Sequence, residues 1–353
     1  MPDFQSPPSF ATRIPSQAAS SRSPLAGGST QTEFPNGPED AKKHIDFIWY
    51  KKQKYVGDGM IQGLLNLASK GQNSKSTHFI YELLQNADDA SYGGNVPRVC
   101  IRYDTTNRTF LIESNEIGFT KADVESICSA AESTKSKKMP AASATATTER
   151  SIGEKGLGFK SVFLAADKVW ISSGHYSFRF DGETPVGQIQ PIWDTQFPGL
   201  KTDGFTAKLL HIPIRDRADT LEALVEELKA LQALDLLFLR KVKRIEIEDC
   251  TQGHKDTAWH TKLRVDAIPR LLNILTPVRV YKDDDVESFV VFRYRVTELP
   301  ITSERFGTMS DIILAFPSNV PAATNLPTKS TYAFLPISTY GFKIFGPQSD
   351  VWI

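Results

Sequence analysis

The sequence has few cysteines, no excess charge of either sign and no long apolar run. Its three cysteines, Cys100, Cys128 and Cys250, have a spacing that matches neither a disulfide framework nor a zinc site. Lys plus Arg and Asp plus Glu number 41 each, which excludes a global field that would draw the chain to nucleic acid or to an anionic membrane. No stretch approaches the ~20 apolar residues that span a bilayer, and the N-terminus lacks the layout of a signal peptide. We therefore expect a soluble, intracellular protein without nucleic-acid or membrane partners.

Three regions of the chain differ in composition. Residues 1–40 are dense in Ser, Pro, Gly, Thr and Gln, and we predict a disordered tail because they bury too little apolar surface to offset the entropy of ordering. Residues 41–265 carry both helical and strand patterns and are predicted to form one α/β domain. Residues 266–353 hold further strand-like runs between Pro and Asp turns. We predict that they are the start of a second, truncated α/β domain.

Several secondary-structure elements can be predicted within the first domain. The runs VPRVCIRYD and RTFLIESNE are rich in β-branched and aromatic residues and predict strands. A helix is expected over Lys121–Ala131, with Thr120 as its N-cap. The run KSVFLAAD predicts an apolar helix, and the spacing of leucines over Thr220–Leu234 predicts another.

The segment HFIYELLQNADDA, residues 78–90, predicts an amphipathic helix that carries a polar stripe. Glu82, Asn86 and Asp89 lie at i, i+4 and i+7 and so share one helical face, while apolar residues fill the other. A carboxylate can orient or deprotonate water, and an amide oxygen suits a hard Mg²⁺ ion. A solvated polar stripe would have the same spacing, so the spacing leaves both interpretations open.

The segment SIGEKGLGFKSVF, residues 151–163, predicts a glycine-rich turn before a helix. Its glycines are Gly153, Gly156 and Gly158. Glycines let backbone N–H groups approach phosphate oxygens, and a following helix adds its positive end. The segment is neither a P-loop nor a dinucleotide-binding motif, because Phe159 separates the last glycine from Lys160 and Ser161 stands where the third glycine belongs. A glycine turn that only packs a helix on a sheet is the alternative.

The order of these motifs carries a family resemblance. An EL-x-x-NA-x-DA helix is followed by a strand and a turn with Gly118, then by Ser133–Arg150, which predicts a long mobile loop of the lid type, and then by GxxGxGF. This arrangement resembles the GHKL ATPase superfamily, which includes ninety-kilodalton heat-shock chaperones, DNA gyrase B, histidine kinases and mismatch-repair ATPases. Within it, YELLQNADDA, SNEIGFTKADVESICSAAESTKSKK and SIGEKGLGFKSVF most resemble the sacsin and NO VEIN-like group of chaperone-like proteins.

The resemblance implies a fold and a function. The fold is an α+β two-layer sandwich of the Bergerat type, with a mixed, mostly antiparallel sheet covered by helices on one face. The function is Mg²⁺-dependent ATP binding and slow ATP hydrolysis by a chaperone-like domain whose lid closes on the nucleotide, with a protein client or partner. The alternative is an ATP-gated binding or scaffold module without appreciable turnover. A histidine kinase is disfavoured, because no helix carries a phospho-acceptor His among acidic neighbours.

The resemblance also implies roles for individual residues. Glu82 corresponds to the general base that orients the attacking water, Asn86 to the Mg²⁺ ligand, and Asp89 to an acid that lines the pocket. The three glycines and Phe159 correspond to the segment that closes over the phosphates, and Lys160 would add a charge contact.

The adenine-reading motif departs from the family. Where the superfamily usually has Asp-x-Gly-x-Gly, residues 114–118 read Ser-Asn-Glu-Ile-Gly, so only Gly118 is kept. The missing Asp normally accepts a hydrogen bond from the adenine amino group. We expect Ser114, Asn115 or a water to substitute, which leaves base selectivity open.

Overall fold

A computed structural model of the chain describes residues 33–70, 79–129, 157–213, 220–251, 260–267, 275–296, 310–318, 329–333 and 335–340. The helices are α1 (Pro38–Lys52), α2 (Gly59–Lys70), α3 (Phe79–Asp89), α4 (Lys121–Ile127), α5 (Leu157–Lys160) and α6 (Thr220–Ala230). The strands are β1 (Val99–Asp104), β2 (Thr109–Ser114), β3 (Lys168–Ser173), β4 (Tyr176–Asp181), β5 (Ile192–Trp193), β6 (Thr206–His211), β7 (Arg244–Asp249), β8 (His260–Ala267), β9 (Leu275–Lys282), β10 (Asp285–Val296), β11 (Ser310–Pro317), β12 (Lys329–Ala333) and β13 (Leu335–Tyr340). Most of the predicted tail, residues 1–32, and the predicted lid Ser133–Arg150 lie outside the described residues.

The described strands form one large mixed sheet and a separate hairpin. The sheet order is β11-β10-β9-β8-β7-β1-β2-β6-β3-β4-β5, and β12 pairs with β13. Within the large sheet β1 and β7 are parallel, and the other neighbouring pairs are antiparallel. The predicted fold class, an α+β arrangement with a mixed and mostly antiparallel sheet, is thereby confirmed. The predicted domain boundary at residue 266 falls near the end of β8, which pairs with β9. That boundary stays a prediction.

The helices cover one face of the sheet. Along β2, Phe110 and Ile112 join the main hydrophobic core with Leu83 and Leu84 of α3, whereas Leu111 belongs to a smaller cluster. This alternation follows from the period of two in a strand. Full burial of one such side chain contributes roughly 1.5–3 kcal/mol, so the pattern fixes which face the helices cover.

On the opposite face a charged network ties neighbouring strands together. The buried Glu113 carboxylate accepts hydrogen bonds from the Arg102 guanidinium and from the backbone N–H of Thr202, the latter at 2.6 Å. Arg102 also donates from Nε to Glu248 at 2.9 Å. The network joins β2, β1 and β7 to the loop before β6 and leaves the buried carboxylate paired, as burial of a charge requires.

The C-terminal end of α3 is fixed by Asp88, a buried carboxylate that is only 2% exposed. Its oxygens accept hydrogen bonds from the backbone N–H groups of Arg240, Lys241 and Val242, at 2.8, 2.7 and 2.8 Å. Hydrogen bonds to a charged acceptor are stronger than neutral ones. Asp88 therefore holds the loop before β7 against the helix that carries the predicted site residues.

We expect Asp88→Ala to lower the free energy of unfolding by about 3 kcal/mol, because three backbone donors lose their acceptor. Asp88→Asn keeps one acceptor oxygen and should lose less. Asp203→Ala, at an exposed turn, is the control and should be close to neutral. Urea unfolding monitored by circular dichroism measures all three, and equal stability of Asp88→Ala and the wild type would contradict the role given to Asp88.

Candidate functional site

Helix α3 and the end of the glycine-rich segment meet at Glu82. Glu82, Asn86 and Asp89 are all half-buried on α3. A Cβ atom added at Gly158 would overlap Oε2 of Glu82, so this carboxylate lies directly against the Gly158 backbone. Only glycine permits so close an approach. The structure thus brings Glu82 and Gly158 together, whereas Gly153 and Gly156 lie outside the described residues.

Asp89, the predicted pocket-lining acid, forms an ion pair with Arg240. The Asp89 side chain is only 8% exposed and that of Arg240 is 30% exposed, so the pair is partly shielded from water. Arg240 belongs to the loop that Asp88 binds through its backbone. The structure therefore adds Arg240 to the surroundings of the predicted site.

Phe159 and Lys160 both point into the protein interior. Phe159 is 2% exposed and packs against the rings of Phe163 and Phe180. Lys160 is fully buried, and its Nζ donates to the carbonyl oxygens of Ile127 and Gln188. Burial lowers the pKa of the Lys160 ammonium to about 7. A contact between Lys160 and a phosphate would require both hydrogen bonds to break.

We expect the stability contributed by Lys160 to rise with pH. Because its pKa is about 7 in the folded protein and near the ordinary lysine value in the unfolded chain, the unfolded state binds more protons between these two values. The free energy of unfolding of the wild type minus that of Lys160→Met should therefore increase above pH 7, by up to ~1.4 kcal/mol per pH unit. Denaturant titrations of both proteins from pH 6 to 9.5 measure this difference. A Lys160→Met difference that is flat or falls with pH would contradict the prediction.

The loop after β2 is tied to the end of α3 and to the segment before β1. The backbone N–H of Ile117 donates to the carbonyl of Ser91 at 2.9 Å. The Asn115 side chain accepts from the backbone N–H of Arg98 at 2.7 Å and donates to the carbonyl of Val96 at 3.0 Å. Both ends of the Asn115 amide are thus used to hold this loop in place.

Gly118 makes the turn that leads into α4. Its φ is +98°, in the region that favours glycine, and a Cβ there would lie 3.4 Å from the backbone nitrogen of Gly174. Thr120 then caps α4 in a capping box, because its hydroxyl accepts from the N–H of Asp123 while the Asp123 side chain accepts from the N–H of Thr120. The predicted N-cap is confirmed, and the turn and the cap together fix where α4 begins.

A cluster of polar side chains lies at the ends of three neighbouring strands, on the face that the helices cover. Ser114 of β2 stands opposite Thr206 of β6, and the hydroxyls of Thr206 and Ser173 on β3 are 2.8 Å apart. All three are at most 2% exposed. We call these residues, with Lys208 and Glu116, the polar end of the sheet. Of its members only Ser114 is a predicted site residue, although polar residues at inward positions of otherwise apolar strands are a signal that the sequence contains.

Glu116 is the most unusual member of the polar end. It is 6% exposed, and burial raises the pKa of its carboxyl group, while the Lys208 ammonium and the hydroxyls of Thr206 and Ser114 act in the opposite direction. Its Oε1 atom has no hydrogen-bond partner among the described residues. A buried acceptor without a donor is rare in folded proteins and calls for a specific cause.

Within the described residues, no group of three or more His, Cys, Asp or Glu side chains could hold a metal ion. Because Mg²⁺ keeps several waters and usually takes one or two protein ligands plus phosphate oxygens, this finding leaves the role predicted for Asn86 untested. The helices in the same part of the chain all fall short of the length and apolar character that crossing a bilayer requires.

A cavity of about 110 Å³ lies away from these residues. It is lined by Leu237, Lys243, Val265, Ala267, Thr276, Val278, Val291 and Arg293. None of the residues predicted to bind nucleotide is among them, so the cavity is not part of the candidate site.

Comparison with known proteins gives partial similarities. No family model matches the chain. It is 35% identical over 129 residues to Protein NO VEIN of Arabidopsis thaliana, a match that covers 36% of this chain and 4% of that protein. It is 30% identical over 175 residues to Chaperone protein HtpG of Escherichia coli, which covers 43% of this chain and 27% of HtpG. A chaperone is among its relatives. Both similarities are consistent with a GHKL-like ATPase superfamily, and the chain spans only a small part of either relative's length.

Proposed function

We propose that the chain binds Mg·ATP beside α3 and hydrolyses it slowly, as a chaperone-like ATPase domain of the GHKL superfamily nearest to the sacsin and NO VEIN-like group. The observation that carries the proposal is the contact of the Glu82 carboxylate with Gly158. A possible general base and the end of a segment suited to phosphates therefore lie side by side. The partial similarity to the chaperone HtpG supports the same function.

The roles follow from what each side chain can do. Glu82 orients and deprotonates the attacking water, and the Asn86 amide oxygen, one helical turn further along, binds Mg²⁺. Asp89, held by Arg240, lines the pocket. Gly153, Gly156 and Gly158 let the backbone approach the phosphates, while the buried ring of Phe159 anchors α5 in the core. Bound Mg²⁺ would neutralise charge on the phosphates.

The second candidate function is an ATP-gated binding or scaffold module without appreciable turnover. The position of Lys160 favours this second function. Its ammonium donates to the carbonyl oxygens of Ile127 and Gln188, so it is not available to the γ-phosphate. Phosphoryl transfer needs positive charge around the transferred group, so loss of this contact would slow hydrolysis more than binding.

The cellular setting is also proposed. Cys100, Cys128 and Cys250 are all free thiols, which suits a reducing compartment, and the charge of the chain is balanced. Together with a chaperone among the relatives, these features support an intracellular location and a protein client or partner.

We expect Asn86→Ala to abolish the Mg²⁺-dependent part of ATP binding, because it removes the proposed amide ligand. Gln85→Ala is the matched control, since it removes an amide from the same helix one position, and therefore about 100° of rotation, away. Calorimetric titration with ATP, with and without Mg²⁺, measures the effect. Unchanged Mg·ATP affinity in Asn86→Ala would contradict the assignment.

We expect Glu82→Ala to separate binding from turnover. Loss of a positioned general base should reduce phosphate release by on the order of 10²–10⁴, while ATP affinity is kept or increased because a negative charge near the phosphates is removed. Phosphate release and calorimetric titration measure the two effects, with Glu222→Ala on the exposed side of α6 as control. Binding without release in the wild type would favour the module without turnover. Joint loss of binding and release in a folded Glu82→Ala protein would refute the role of Glu82.

A further inference from the structure

We propose that the cavity between the 3-10 helix Ala233–Leu237 and strands β8 to β10 binds a small organic anion, a monocarboxylate of about three to five carbons. Lys243 and Arg293, which line the cavity, would bind the carboxylate group. None of the residues with a proposed nucleotide role lines it, so this second ligand site does not depend on ATP binding.

The floor of the cavity is apolar and comes from the sheet. Three neighbouring strands contribute Val265 of β8, Val278 of β9 and Val291 of β10, which are at most 8% exposed. Leu237, 1% exposed, adds an aliphatic wall from the 3-10 helix. A cavity of about 150 Å³ lined by aliphatic and aromatic side chains holds benzene, so about 110 Å³ suits a chain of a few carbons.

The two cations of the cavity meet at the C-terminal end of the 3-10 helix. Nζ of Lys243 donates to the carbonyl oxygen of Leu236 at 2.9 Å and to that of Leu239. A terminal N–H of Arg293 donates to the carbonyl oxygen of Leu237 at 3.4 Å. An ammonium has three N–H donors and a guanidinium has five, so both side chains keep donors for a ligand. The positive charge is therefore gathered at one place beside an apolar space.

Neither cation has a carboxylate partner within the part of the chain that the structure describes, since the ion pairs there involve other residues. Burial lowers the pKa of the Lys243 ammonium to about 8, and the charge of Arg293 acts in the same direction. Asp88 acts in the opposite direction, but its oxygens already accept from three backbone N–H groups. A bound anion would offset the repulsion between the two cations.

The chemistry of the cavity favours a carboxylate over an inorganic anion. The guanidinium group presents paired N–H donors that match the two oxygens of a carboxylate, and hydrogen bonds between charged groups are the stronger kind. Phosphate or sulfate would place further charged oxygens against the valines of the floor, which costs free energy. The aliphatic chain of a monocarboxylate fills that space instead.

The test titrates butyrate, butyramide and acetate into the protein without nucleotide and follows the valine methyl signals by NMR. Butyramide has the shape of butyrate without its charge, and acetate has the charge but lacks two methylene groups. We expect butyrate to shift the signals of Val265, Val278 and Val291 with a Kd on the order of 1 mM, and to leave that of the exposed Val286 unchanged. Butyramide and acetate should each bind about tenfold more weakly.

Two variants test the cations. Arg293→Gln and Lys243→Met should each weaken butyrate binding about tenfold or more. Because Arg293 is exposed, its variant keeps the test decisive where Lys243→Met fails to fold. Arg279→Gln is the matched control, since Arg279 is an exposed arginine between the buried Val278 and Val280 and so lies on the other face of β9.

Three results would overturn the inference. The first is the absence of shifts at the three valines of the floor. The second is equal affinity for butyrate and butyramide, or for butyrate and acetate, the latter identifying a site for an adventitious ion only. The third is unchanged butyrate affinity in folded Arg293→Gln. Each of them would leave the proposed ATP binding untouched, because no nucleotide enters the titration.

Discussion

The hydrogen bonds between Asp88 and the backbone of residues 240–242 are the interaction on which the rest of the structure depends. They join the end of α3 to the loop that leads into β7, and β7 is the strand that pairs in parallel with β1. Because the same loop supplies Arg240 to Asp89, one short segment connects the strand that pairs with β1 to the surroundings of the candidate site. A loss of these bonds would therefore disturb fold and site together.

The main strands and one helix start could be predicted because their signals are local. VPRVCIRYD and RTFLIESNE contain β1 and β2, and Thr120 caps α4 as expected. The ends of the helices could not be predicted, because they depend on tertiary contacts that no local sequence pattern shows. The sequence predicts one helix over Lys121–Ala131, but α4 ends at Ile127, whose carbonyl accepts a hydrogen bond from Lys160.

Two other predicted helices were too long. The run KSVFLAAD supplies only Lys160 to the short α5, and Ser161–Leu164 continue as a 3-10 helix. The helix expected over Thr220–Leu234 ends at Ala230, because Gln232 takes an extended conformation and caps a separate 3-10 turn together with Asp235.

In the candidate site, the polar stripe of Glu82, Asn86 and Asp89 could be predicted from the helical period. Asp88 and Glu116 could not, since acidic side chains are ordinarily exposed and their partners lie on other elements.

The parallel pairing of β1 with β7 has a consequence for the order of folding. Asp88 and Arg240, which meet at the same place, are separated by 152 positions in the chain. The β1–β2 hairpin can form from local contacts, but the other edge of β1 keeps its N–H and C=O groups unpaired until residues 244–249 have been synthesised. Such an edge can pair with another chain, and closing a loop of this length is slow. During synthesis the exposed side of β1 is therefore a surface at which a nascent copy of this protein is open to aggregation or to capture by a folding helper.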